Sequence, residues 1–142
     1  MKKIRLRLIS IIVSVLILCF CFSGMIVFAE TKTSGDYDYR ILADGTAEIT
    51  NYGGSDSVID LPSEIDGYKV TGLGDRAFYY SFYGGSKTVT DVTIPNGITS
   101  IGADAFKECT KLKNVTIPDT VKTIGNAAFI GCTAIEKIVL PK

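Results

Sequence analysis

The sequence has no histidine and no tryptophan, and only two methionines and four prolines. Histidine is the commonest general base near neutral pH and the commonest metal ligand. Its absence lowers the case for triad hydrolases and zinc enzymes and leaves carboxylate chemistry open. Charge of either sign is not in excess, since 15 Lys+Arg balance 15 Asp+Glu. Cysteine is scarce too: of four, Cys19 and Cys21 lie in an apolar N-terminal run, and Cys109 and Cys132 are all that the rest of the chain carries. With 142 residues, a single domain is the default.

Only one long hydrophobic run is present, from Leu8 to Phe28, broken by Ser10, Ser14, Ser23 and Gly24. Lys2, Lys3, Arg5 and Arg7 precede it, and Ala29 and the polar ETKTSGD follow it. A basic region, an apolar region and a small residue at the end make a secretory signal. Val27-Phe28-Ala29 reads as the cleavage site, so residues 1–29 are expected to leave a mature chain starting near Glu30. A run of this length also suffices to span a bilayer, and an uncleaved anchor stays open. Leu18 and Phe20, before Cys19 and Cys21, are too large for a lipoprotein cleavage motif. Beyond residue 29 the chain has 11 basic and 15 acidic residues, a net charge of −4, which argues against a nucleic-acid partner. Membrane contact is expected only through the signal segment.

What the chain has in place of catalytic groups is a repeat. Residues 92–114 read VTIPNGITSIGADAFKECTKLKN, and residues 115–137 read VTIPDTVKTIGNAAFIGCTAIEK. A partial copy occupies 138–142, and an irregular one occupies 59–91, with five extra residues between Pro62 and Val70 and five between Phe78 and Val92. A period in this range is the mark of a leucine-rich solenoid. Leu112-x-x-Val115-x-Ile117 and its counterparts read as short strands with alternating inward residues. Pro62, Pro95, Pro118 and Pro141 then end the ladder, having no N–H to donate. Gly74, Gly102 and Gly125 read as turn positions that need positive φ. Ala105, Phe106, Cys109 and Leu112, like Ala128, Phe129, Cys132 and Ile135, fall on one face of a short helical turn. No unit can bury its own apolar face, so the units must stack. Residues 30–58 read as a linker and a cap: in YDYRILADGTAEITNY, Asp44-Gly45 joins two alternating runs as a β-hairpin. The expected fold is a short α/β repeat solenoid with parallel strands, short helical turns and an N-terminal hairpin cap.

These units resemble the BspA-type leucine-rich repeats of bacterial surface proteins, whose copies look like VTIPxxVTxIGxxAFxxCxxL, and DGTAEIT resembles the segment that often precedes them. The resemblance runs from about Tyr37 to the end. It implies a secreted or cell-surface protein, in a family that includes adhesins binding host matrix proteins or other cells; the missing histidine and the absence of a nonrepeating catalytic segment add the expectation of no enzymatic activity and no cofactor.

Four groups of residues invite a chemical reading. Cys109 and Cys132 lie one repeat apart, so their side chains are expected side by side in a stacked core. Parallel Cβ atoms about 4.8 Å apart miss the roughly 3.8 Å that a disulfide prefers, and no base is at hand to activate a thiol. Asp36, Asp38, Asp44 and Glu48 cluster near the hairpin, where turn chemistry accounts for them. Tyr79, Tyr80 and Tyr83 exceed what one turn can bury and form a candidate patch for protein or glycan. Finally, two columns should project from the strands: Asp60, Thr93, Thr116 and Val139, and Val58, Asp91, Asn114 and Lys137. A solenoid binds on such a face, although so few units offer less than about 800 Å². No catalytic, cofactor or metal residue is expected. A rival expectation is a structural N-terminal piece of a longer surface protein whose ligand site lies elsewhere. The abrupt end at Lys142 also suggests self-association through an open apolar edge.

Overall fold

The structure, a computed structural model, describes residues 30–79 and 88–140; the expected signal segment lies outside them. The chain opens with an antiparallel meander of β1 (Thr31–Ser34), β2 (Tyr37–Ile41) and β3 (Ala47–Tyr52). The Asp44-Gly45 turn joins β2 to β3, with Gly45 at φ +80° and Asp44 accepting from Thr46 N–H at 2.9 Å. The cap therefore has the expected hairpin plus one more strand. Gly35, at φ +56°, turns β1 into β2.

Next come β4 (Val58–Asp60), a tight hairpin of β5 (Glu64–Ile65) and β6 (Tyr68–Leu73), then β7 (Asp91–Thr93), β8 (Ser100–Ile101), β9 (Asn114–Thr116), β10 (Thr123–Ile124) and β11 (Lys137–Val139). The hairpin is the first insertion of the irregular unit, closed by Asp66 and Gly67, both at positive φ. Two sheets result. The first runs β1-β2-β3-β6-β8-β10, parallel from β3 onward, with β5 on β6; the second, β4-β7-β9-β11, is wholly parallel. The inward residues of both meet in one continuous core, from Tyr39 and Ile49 through Leu73, Val92, Ile101 and Val115. An aromatic column threads it. Tyr52, Phe78, Phe106 and Phe129 stack at 5.4, 4.9 and 5.2 Å between successive centroids.

Two expectations need correcting. First, the described residues contain no helix. The segments after the glycines are chains of tight turns, such as Lys107 N–H to Asp104 O and Cys109 N–H to Phe106 O. Arg76, Asp104, Glu108 and Ala127 have φ between +55° and +61°, a left-handed conformation that stops helix propagation. The intervening amides bond to the next layer instead: Asp104, Phe106 and Glu108 donate to the carbonyls of Asn126, Ala128 and Ile130 at 2.7–3.0 Å. These segments are thus a ladder across layers, and the Phe and Cys columns stay inside it.

Second, Gly74, Gly102 and Gly125 are not at positive φ. They are needed for close approach. A Cβ on Gly102 would fall 2.5 Å from the backbone N of Asp75 and C of Gly74, and one on Gly125 would strike Ala103 and Gly102.

The sheets are staggered. β3, β2 and β1 extend the first sheet beyond β4, whereas β11 extends the second beyond β10. At the C-terminal layer the core positions open: Ile124 is 42% and Leu140 62% exposed, against 2% for Ile101 and Ile117 one layer earlier.

Candidate functional site

The register of the second sheet builds its outer face. Asp60, Thr93, Thr116 and Val139 are successive partners, as are Val58, Asp91, Asn114 and Lys137, so both columns lie where strand alternation puts them. The centre is fixed by hydrogen bonds. Asp91 accepts from Asn114 Nδ2 and from Thr90 Oγ1, each at 2.6 Å, and these bonds hold its carboxyl below the usual range. Thr93 and Thr116 stand exposed beside it. The face is a narrow strip with a polar centre, acidic towards β4 and basic at Lys137, and with Val58 and Val139 exposed at its two ends.

The tyrosine patch is placed in part. Tyr79 is half-buried on the turn ridge, with the Lys107 ammonium 5.6 Å from its ring centroid. Tyr80 and Tyr83 lie outside the described residues. Tyr79 is separate from the sheet columns, since it follows Phe78 in the turn segment and they sit on strands.

The thiols stand as one column. Cys109 Sγ donates to Phe78 O at 3.1 Å, and Cys132 Sγ donates to Phe106 O at 2.9 Å, so each bonds back one layer. The neighbouring Cys132 thiol and burial push the Cys109 thiol well above its ordinary range. Both are free. Titration of the mature chain from Glu30 with a thiol reagent in denaturant, without reductant, should count both; a count of zero would overturn the column. In the folded protein half-buried Cys132 should react first, and Cys109 only on unfolding.

Three of the four N-terminal carboxylates are engaged in local structure, and Asp36 stands exposed. Asp38 bonds Thr33 and Asn51, Asp44 closes its turn, and Glu48 pairs with Arg40 at 2.5 Å. Among the described residues no group of three or more His, Cys, Asp or Glu is arranged to hold a metal.

One feature escaped the sequence reading: a cleft of about 320 Å³ between the β5–β6 hairpin and the turn after Pro95, lined by Glu64, Lys69, Thr71 and Asn96. Its signal was Asp66-Gly67, the same hairpin pair as Asp44-Gly45.

A family model described as the BspA type leucine rich repeat region matches residues 71–142. Three solved structures are similar. A leucine rich cell surface protein from Faecalibacterium prausnitzii A2-165 is 36% identical with a TM-score of 0.67, over 83% of this chain and 31% of that one. A leucine rich repeat protein from T. pallidum is 32% identical with a TM-score of 0.70, over 79% of this chain and 50% of that one. A leucine-rich repeat protein from Bacteroides capillosus is 26% identical with a TM-score of 0.57, over 79% of this chain and 99% of that one. The chain thus spans a third to a half of the first two. No curated protein matches it.

Proposed function

Because this chain belongs to the BspA-type leucine-rich repeat family, we propose that it is a non-catalytic module of the cell surface or secreted space that binds protein, such as a host matrix or cell-surface protein. The observation that carries this is the outer face of the second sheet, where four parallel strands hold two columns, polar at their centre, in strict register. Export through residues 1–29 and a role in adhesion belong to the same reading, which the similarity to a cell surface protein supports.

Self-association belongs to it too, in a restricted form. Stacking a second copy so that its β4 continues from β11 would put its β2 and β1 on the layers already held by β10 and β8. Head-to-tail growth in that register is therefore blocked by the cap.

The test compares binding to immobilised matrix proteins and to a glycan array. The Thr93→Arg/Thr116→Arg variant should lose about tenfold in affinity, the scale of a central contact. Loss confined to Tyr79→Ser/Tyr80→Ser/Tyr83→Ser would move the site to the turn ridge. Unchanged binding in both variants would overturn the reading.

A further inference from the structure

The N-terminal edge of the second sheet carries unpaired backbone groups among the described residues. Leu61 N–H reaches Thr93 O at 3.0 Å, and Ser57 O accepts from Thr90 and Asp91 at 2.7 and 3.1 Å, so these flanking groups of β4 point at β7. By alternation the N–H and C=O of Val58 and Asp60 point away from it. Among the described residues they have no partner and β4 ends its sheet. Exposed edges are blunted by lysine, other charges, proline or shortness; β4 is short and carries Asp60 but has no lysine or proline, and it shows Val58, 61% exposed, where the next three layers place Asp91, Asn114 and Lys137.

The surroundings choose the occupant. The first sheet overhangs this edge by three strands, and among the described residues it is the β5–β6 hairpin, not a strand of the second sheet, that covers part of β2 and β1: Asp66 accepts from Ser34 Oγ and from the Tyr39 hydroxyl, and Tyr39 is buried. Tyr37 and Ile41 of β2 are left only partly buried there. The rim is acidic. Asp36, Asp56 and Asp60 lie close enough to the Tyr37 phenol to add to the effects of burial and of Tyr52, which together push its pKa up to about 12. None of the three carboxylates has an ion-pair partner among the described residues.

The geometry points to β4 as a strand-addition site for an extended segment of a protein partner, in which lysine or arginine alternates with small apolar residues. Backbone bonds to Val58 and Asp60 supply register, the apolar side chains pack beside exposed Val58 and half-buried Tyr37, and the basic ones meet the acidic rim. Val58 and Asp60 also begin the two outward columns, but this edge engages their backbone groups and does not require Thr93, Thr116, Asp91 or Asn114.

The probe is a fluorescent alternating lysine–valine peptide, with a glutamate–valine peptide of equal length as control. The lysine peptide should bind, more weakly as salt rises, and the glutamate peptide should not. Val58→Lys places a like charge on the edge, and Val58→Pro removes one donor that the fold does not use. Each should cost about tenfold or more in affinity. Thermal melts establish that each variant is folded, and Val58→Lys decides the matter should the proline variant not fold. Equal binding of both peptides, or full affinity in Val58→Lys, would overturn the proposal.

Discussion

Replacing Phe106 with alanine is expected to remove about 3–5 kcal/mol of stability, the range for deleting a fully buried ring. Its ring is 0% exposed and lies between Phe78 at 4.9 Å and Phe129 at 5.2 Å, in near-parallel stacks. The ladder amides of the turn segment hold the layers at fixed spacing, so the hole cannot collapse. Because each layer touches only its neighbours, the loss falls at the middle of the stack. Urea unfolding of the variant should show a much lower midpoint and poorer agreement between fluorescence and circular dichroism. Phe129→Ala removes the same ring from a half-buried position and should cost clearly less. Equal costs at the two positions would mean that the column is not the continuous core described.

Gly102→Ala adds a single methyl group and is expected to destabilise the fold by about 3 kcal/mol, the upper end for overpacking. The new Cβ would meet backbone atoms of Gly74 and Asp75 in the previous layer rather than a side chain able to rotate away. Relief requires the layers to part, which would stretch Gly102 N–H to Leu73 O, now 2.8 Å, and its neighbours. Gly53→Ala is the control: its nearest atom would be Asp36 O at 3.8 Å, and its φ is not positive. That change should stay within about 0.5 kcal/mol. Similar thermal midpoints for the two variants would show that layer spacing does not depend on the glycine column.

The contrast between these glycines shows what could be read from the residues. The period, the inward columns and the outward register of Asp91 with Asn114 followed from repetition, because a stacked core needs its filler in every unit. The glycine column was visible as well, yet its cause was not. A glycine needed for φ and one needed for contact with another layer look alike in one dimension. The turn segments misled for a related reason. Apolar residues spaced as Ala105, Phe106, Cys109 and Leu112 suit one face of a helix, and what prevents the helix is left-handed φ at Asp104 and Glu108, together with hydrogen bonds to a different layer. Both are tertiary facts. β1 went unseen because Thr31–Ser34 has no apolar residue to alternate. Of the candidate site, the two columns were legible, but the open edge at β4 was not, since it depends on how far the two sheets are offset.

The interface between layers 92–114 and 115–137 is the translation of the one before it, down to the glycine contact and the phenylalanine stack. A tandem duplication of one such unit therefore leaves the cap, the β4 edge and the final layer with the neighbours they already have. Length becomes a variable that a lineage can change in steps of 23 residues without inventing a new contact. The two ends, which carry the features that do not repeat, are free to diverge separately from the number of units between them.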